Sequence, residues 1–481
     1  SLMQQKEESN MKIFKLFIDE NIKTWKKFST KLAIILIILA LVAGLGLTKV
    51  LQHMDENSDS VIQYASTWKE GVEEDINSYK EQLKEPDLLQ SEKNDIQNKI
   101  KIAEVRLQNN ISVYSVNWKN TVLNSLEENM EEKLLNIVLD NNFEGYINYE
   151  KESEKQKLNQ KEITQQEYDD NIQILDLRYK YQIGNVGNEE VIRDSKEGYL
   201  YKIKNEQKSI RTGIDYQSNR VLTAEQRKEY EDDIKINIYK IENNIVNEDY
   251  STTTNYRMMF ESLASSFVIT LIAIFAMIVA GGAISSEVST GTIKFWALTP
   301  NKRWKILTAK ILSIIFYLVV ITLIMSILSI ICANIFFDTE GCEYIFVKNG
   351  NVEKIGNTLF IIEYYFAKLI PVIIFAIFAL MLSVITRNTS LSLGLSIATY
   401  MGNSIAMIII NSYIKKDWIK IIPFNNLNIA DKIFPNFKSM LSTGLENTTT
   451  TSLGFSIAVL GVCVILMFVT MYDSFNKRDI I

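Results

Sequence analysis

The hydrophobic pattern runs in two regimes. Six nearly unbroken apolar runs, at 32–51, 258–283, 311–337, 359–386, 391–414 and 453–472, are each close to the length of a bilayer crossing, for which ~20 mostly apolar residues suffice. From 32 to 48 the chain reads LAIILIILALVAGLGLT without a charge, a run that the core of a soluble protein seldom contains. The two longest runs leave room for tilt. The first run follows a basic leader too long for a signal peptide and lacks an A-x-A site behind it, so an uncleaved signal-anchor is expected. Ser1 and Leu2 precede the first methionine, and the native start is expected at Met3 or Met11.

Between the first two runs the pattern changes to helical amphipathicity. Val61, Tyr64, Trp68, Val72, Ile76, Tyr79 and Leu83 step by threes and fours, Pro86 interrupts, and Leu89, Ile96, Ile100, Ala103 and Leu107 continue the spacing. Two such segments about a proline turn predict a coiled-coil hairpin. Further helices are predicted at 117–139, 151–181 and 223–245, with capping boxes at Thr164–Glu167 and Thr223–Gln226. The tyrosines here, such as Tyr146, Tyr149, Tyr179 and Tyr199, are expected to pack the domain. Ahead of the first run, 11–31 places Phe14, Phe17, Ile18, Trp25 and Phe28 on one side among lysines, the pattern of a helix lying in the membrane interface beside anionic headgroups.

Charge separates the two regimes again. Residues 52–257 carry 41 Asp and Glu against 27 Lys and Arg, a net charge of −14, while the rest of the chain is net positive. Lysines and arginines gather in the N-terminal segment, at 294–310, at Arg387 and at Lys477 and Arg478. The positive-inside rule then places both termini in the cytoplasm and 52–257 outside. The loop at 415–452 opposes this with five lysines of its own, outweighed by the other segments. Nothing in this charge pattern calls for a nucleic-acid partner.

Familiar catalytic chemistry is missing. There is no G-x-x-x-x-G-K-[ST] phosphate loop, and one histidine with three scattered cysteines forms no metal site of known spacing. A Cys332–Cys342 bridge is conceivable. Glu363 and Lys368 are read as interface anchors, and the apolar segment IIPFNNLNIADKIFPNF within 415–452 as resting on the bilayer or partly re-entering it. In the fifth run Ser392, Ser396, Ala398, Gly402 and Ala406 suit close helix packing, and Asn403, near mid-membrane, is the candidate for a substrate path or an interhelical bond.

One polar stretch between apolar runs is unusually rich in apolar anchors: GGAISSEVSTGTIKFWALTPNKRWKILTAK, residues 281–310. Ser285 or Ser289 is expected to cap a short helix, Gly291 to allow a tight turn and Pro300 to end the preceding segment. Ile293, Phe295 and Trp296 are anchors of the kind that dominate interfaces. The order Ile284, Ser285, Glu287, Gly291, Thr292, Lys294, Pro300, Arg303, Ile306, Lys310 resembles the cytoplasmic loop between the second and third spans of ABC-2 type transporter permeases, and the ending FNKRDI resembles their short basic tail. The resemblance covers the membrane part and not 52–257, where most members have a short loop.

The resemblance implies an all-α polytopic protein with six transmembrane helices in the ABC-2, type V exporter-like arrangement, plus a helical, partly coiled-coil extracellular domain. Its segments would be a cytoplasmic N-terminus at 1–31, the extracellular domain at 52–257, a coupling loop at 284–310, external loops at 338–358 and 415–452, and a cytoplasmic tail at 473–481. It implies an ATPase-coupling set of Glu287, Gly291, Thr292, Lys294, Phe295, Trp296, Pro300, Arg303 and Lys310. It further implies two copies of a separate ABC ATPase that binds ATP and Mg, and a second permease chain. The chain itself would be no enzyme and hold no cofactor or metal, in a bacterial plasma membrane. The expected role is export of, or resistance to, an amphipathic substrate such as an antimicrobial peptide or drug, with a cationic peptide as the ligand suited to the acidic domain. The alternative is a non-transporting cell-surface scaffold or receptor on an ABC-2-like membrane domain.

Overall fold

The computed structural model describes residues 2–56, 68–85, 87–113, 117–186, 195–217, 219–245, 256–294, 302–337, 343–413, 416–434 and 451–477. Phe295, Trp296, Pro300, Cys342 and the last residues of the FNKRDI tail lie outside them. The chain divides into two units, one of 1–50, 256–344 and 354–481, the other of 51–255 and 345–353.

In the first unit, α1 (Leu2–Lys26) gives way to α2 (Phe28–Glu56) at a bend on Lys27. After the second unit come α11 (Tyr256–Gly281), the short α12 (Ser285–Ser289) and α13 (Arg303–Phe336). Then follow α14 (Asn357–Thr386), α15 (Thr389–Tyr413) and, after two 3-10 turns and the short α16 (Ile429–Ile433), α17 (Leu453–Lys477). Five of these helices are long and apolar enough to cross a membrane, and α15 makes a sixth if its two halves, bent by 48° around position 404, count as one crossing.

Helix α14 is the hub, packed against α11, α13, α15 and α17. Its sequence explains this: Phe360, Ile361, Tyr364, Tyr365, Val372, Phe375, Ala376, Ala379 and Leu380 are all buried, covering more than one face. A helix apolar all round is one that belongs inside. By contrast the apolar side chains that α2 buries form one stripe, Ala33, Ile37, Leu41 and Leu45, while Leu36, Leu39, Val42 and Leu47 are exposed as a lipid-facing surface would be. Helices α11 and α15 approach closely at Gly281, where an added Cβ would stand 2.8 Å from Leu393 Cδ2.

Where α11 begins, Arg257 Nε donates to Glu261 Oε1 at 3.1 Å and Arg257 Nη2 to Asn334 Oδ1 at 2.7 Å, while Asn357 Nδ2 donates to the same Glu261 oxygen at 2.8 Å. Lys368 donates to Ser266 Oγ at 3.1 Å and lies over the Tyr364 ring, which ties α14 to α11, while Glu363 is exposed. The described part of the apolar segment, 421–434, is docked on the bundle through asparagines. Asn411 and Asn425 exchange hydrogen bonds, and Asn426, fully buried, accepts from Thr451 and Ser456.

The expectation of an all-helical fold is corrected at 338–358. Strands β1 (Tyr344–Lys348) and β2 (Asn351–Ile355) form a hairpin there. Asn349 and Gly350 turn it with φ of 51° and 85°, the positive values that a two-residue Asn-Gly turn requires.

In the second unit, α3 (Trp68–Gln82), α4 (Gln90–Gln108), α5 (Trp118–Glu128), α6 (Glu132–Leu139), α7 (Phe143–Asn159), α8 (Gln165–Lys180), α9 (Lys196–Thr212) and α10 (Ala224–Glu242) each pack on their neighbours in sequence. The single helices expected at 117–139 and 151–181 are each interrupted. Asn129 is extended in the first, and Lys161 takes a φ of 61° in the second before Thr164 caps α8 by accepting from the Glu167 N–H at 3.2 Å. The Thr223–Gln226 capping box is complete. Of the expected helical hairpin, Val72, Ile76 and Ala103 form a small core between α3 and α4. The larger core around Trp118, Leu123, Leu126 and Leu135 stacks Trp118 on Tyr146, with ring centroids 5.3 Å apart. Tyr146 and Tyr199 are buried, and Tyr149 donates from its hydroxyl to Glu131 at 2.6 Å.

Candidate functional site

The stretch 281–294 folds into a compact turn against the bundle. Helix α12 has only five residues, too few to satisfy its own terminal donors. Neither Ser285 nor Ser289 caps it, contrary to expectation, because Ser285 is already inside the helix. The cap comes from elsewhere: Ser383 Oγ, at the end of α14, accepts the N–H of Ser285 at 2.9 Å and of Ile284 at 3.3 Å. Ser285 Oγ donates to the Gly281 carbonyl at 2.7 Å and meets Thr389 Oγ1, at the start of α15, at 3.0 Å. The loop helix is thus pinned to two helices about a hundred residues downstream.

Beyond α12 the chain reverses at Gly291, whose φ of 72° favours glycine. The Ile293 N–H returns to the Glu287 carbonyl at 3.0 Å, and Ile293 is buried. Thr292 and Lys294 point outward, exposed. Arg303, expected in a loop ending at 310, opens α13 instead. The apolar spacing of Ile306, Leu307 and Ala309 continues the buried face of that helix past the expected boundary. Near its start Arg303 Nη1 donates to the Asn476 carbonyl at 3.3 Å, and Thr308 and Tyr472 share a 2.7 Å hydroxyl bond, joining α13 to the end of α17.

The centre of the site is a buried charge cluster. Lys310 Nζ donates to Glu287 Oε1 and to Glu20 Oε2, each at 2.8 Å, and the lysine is 3% exposed. Glu20 also accepts from Lys23 at 2.9 Å. One ammonium therefore joins α1, α12 and α13. Burial raises the Glu20 pKa, but Lys310 and Lys23 outweigh it and hold the carboxyl below its ordinary value. Lys23 is desolvated too, yet its bond to Glu20 leaves its pKa raised. Helix α1 lies on α13 through aromatic contacts beside this cluster, Phe17 on Phe316 at 5.5 Å and Trp25 on Tyr317 at 5.3 Å.

Of the residues expected to couple, Glu287 and Lys310 meet directly, with Gly291 shaping the turn behind them. Lys294 and Arg303 stand apart from the cluster, and Phe295, Trp296 and Pro300 lie outside the described residues. Glu20, Ser383 and Thr389 were not foreseen. Glu20 sits in the lysine-rich amphipathic segment and carries no local mark of a partner 290 positions away.

The packing residues of α15 fall on two faces. Ser392 and Ser396 are fully buried against the bundle, whereas Ala398 and Ala406 are exposed and Gly402 half-buried, with nothing within 4 Å of where a Cβ would stand. Asn403 Nδ2 donates to the Tyr400 carbonyl of its own helix, at the bend. Cys332 and Cys463 are free thiols. Among the described residues no group of three His, Cys, Asp or Glu side chains is arranged to hold a metal.

Comparison with known proteins places these features in a family. No solved structure matches the chain. "Uncharacterized protein YhcI" of Bacillus subtilis (strain 168) is 29% identical over 257 residues, which is 52% of this chain and 76% of that protein. A family profile matches residues 239–481, which take in α11 to α17 with Glu287 and Lys310 but leave out α1, α2 and Glu20, and the chain belongs to that family, Protein of unknown function (DUF2705).

Proposed function

We propose that this chain is the membrane subunit of an ABC exporter, driven by two copies of a separate ATPase that bind ATP and Mg. The observation that supports this best is the Glu20–Lys310–Glu287 cluster. Two residues of the loop pattern, 23 positions apart, share one buried ion pair, and the same lysine reaches α1. A push on the exposed turn at Thr290–Lys294 would pass through α12 into α13 by that pair, and into α14 and α15 through Ser383 and Thr389. A solvated connecting loop has no need of such bonds. The outward stripe Ala398, Gly402 and Ala406 suits close contact with a second permease chain, identical or different. Both termini would face the cytoplasm of a bacterium. The unit at 51–255 would stand outside, its acidic surface suited to cationic antimicrobial peptides or drugs.

The test is purification of the full chain from its native membrane. An ABC ATPase should co-purify in equal number, and ATP hydrolysis should reside in that partner. The Gly291→Pro variant, which cannot adopt the required φ and loses the Gly291 N–H bond to Val288, should fold but lose substrate-stimulated hydrolysis. ATP hydrolysis by the chain alone, or unaltered coupling in the variant, would overturn the reading. The large acidic unit favours one other reading, a cell-surface scaffold or receptor. That reading predicts that replacing 52–255 with a Gly/Ser linker abolishes function while Gly291→Pro is silent.

A further inference from the structure

Beside the charge cluster, between α1, α11, α12 and α13, is a cavity of about 470 Å³ lined by Lys23, Lys26, Lys27, Lys310, Glu20 and Glu287. Its size lies within the range of small-molecule sites. Four ammonium groups face two carboxylates, leaving two positive charges in excess. Lys310 and Lys23 are taken up by the carboxylates. The ammonium groups of Lys26 and Lys27 make no hydrogen bond or ion pair with another described residue. Lys26 and Lys27 are exposed residues, yet partial desolvation of the Lys27 ammonium and repulsion from Lys310 lower its pKa against the pull of Glu287 and Glu20. An anion would relieve that repulsion. A polar group in the cavity wall is also without a partner: Ser313 Oγ is buried, the residue is 2% exposed, and it forms no hydrogen bond. A buried hydroxyl with nothing to bond is unfavourable unless something else occupies the space. Glu287 Oε2 is likewise unpartnered, so the site suits a ligand that also brings a donor, such as a headgroup hydroxyl or ammonium.

The other flank of α1 indicates where that ligand comes from. An apolar groove of about 420 Å³ is lined by Phe17, Ile18, Ile22, Trp25 and Phe316, and Lys26 borders it as well as the cavity. Phe14, Ile18 and Ile22 are exposed along the same side of the helix. An amphipathic helix with such a face lies at the boundary between acyl chains and headgroups, and phosphate is the anion found at that level.

We propose that this cavity binds the phosphate of a membrane phospholipid, held by Lys26 and Lys27 with the Ser313 hydroxyl as a further donor. A bound headgroup would bridge α1 to the loop helix and α13. The inference does not depend on export, and its test involves no transport.

The test is native mass spectrometry of the full chain in detergent. Three probes are added separately: dioleoyl phosphatidylglycerol, dioleoylglycerol with the same acyl chains and no phosphate, and inorganic phosphate. The phospholipid should bind more tightly than dioleoylglycerol. The double variant K26Q/K27Q should weaken it about tenfold or more, since charge-assisted bonds are lost, and K26R/K27R should retain it. Lys15→Gln, on the same helix but outside the cavity, should leave binding unchanged and shows that removing a lysine from α1 is not itself the cause. Equal binding of dioleoylglycerol, or unchanged phospholipid affinity in K26Q/K27Q, would overturn the proposal. Displacement of the phospholipid by an equal concentration of inorganic phosphate would overturn the lipid as its source.

Discussion

The two charged clusters near the ends of α11 solve different problems with similar side chains. Where α11 begins, Arg257 and Glu261 are four residues apart on one helix, and Asn334 and Asn357 add a hydrogen bond to each. The ion pair is local, and the neighbours are drawn in by neutral amides. Past the other end, Glu20, Glu287 and Lys310 come from three separate elements, and each ionic bond crosses between elements. The first cluster can form as soon as the helix does. The second forms only when α1, α12 and α13 are all in place, and it borders a cavity. A local pair fixes a helix end, whereas a pair between elements makes the position of one depend on the others.

Removing the shared cation is expected to have the largest effect. Lys310→Met leaves the mostly buried Glu287 without its ionic partner and Glu20 with Lys23 alone, and breaking a buried pair costs ~3–5 kcal/mol, here toward the upper end because two bonds are lost. Thermal unfolding of the detergent-solubilised full chain should show it, and adding Glu287→Gln to Lys310→Met should recover part of the loss. Arg257→Met should cost less, ~3 kcal/mol, because Asn357 still donates to Glu261. If the two variants unfold alike, the distinction between local and bridging clusters fails.

A smaller effect is expected at the turn behind the bridging cluster. Gly291→Ala puts a Cβ where no atom lies within 4 Å, so only backbone strain at φ 72° remains, ~1 kcal/mol. A loss near that of Lys310→Met would show that the turn is more crowded than the cluster.

The smallest effect is the pH dependence of Glu20. Its folded pKa is depressed, so the stability it contributes is present above its ordinary value of 4.5 and is lost as pH falls from there through the folded value. Wild-type unfolding free energy should therefore decline below about pH 4.5 more steeply than that of Glu20→Gln. Parallel pH profiles for the two chains would show that Glu20 is not held by Lys310 in solution.

The bundle was legible where composition is one-sided. Runs such as 32–48 carry no residue that would be stable outside a membrane or a core, and long uncharged segments have few alternatives to a helix once their backbone must bond internally. Boundaries were read less well. The basic residues Lys302, Arg303 and Lys305 suggest a loop, yet Ile306, Leu307 and Ala309 carry the buried face of α13 back to that point. The hairpin at 344–355 has its signal in Asn349-Gly350, between two short β-prone stretches that long helical segments flank on both sides. In the acidic unit, the breaks at Asn129 and Lys161 interrupt segments whose apolar spacing runs on almost without a gap.

At the candidate site, the sequence pattern marked Glu287, Gly291 and Lys310 but not what they do. Periodicity and charge along the chain determined which segments are apolar helices, which segment is the acidic unit, and that a polar break begins after 281. These are properties of neighbouring residues, and a linear chain displays them. That Lys310 serves Glu287 and Glu20 together, that Ser383 caps a helix begun 98 positions earlier, and that Lys26 and Lys27 border a cavity with an unpartnered Ser313 was decided only by the tertiary structure. Ionic and hydrogen bonds depend on distance in space, and residues hundreds of positions apart have none until the helices that carry them have packed.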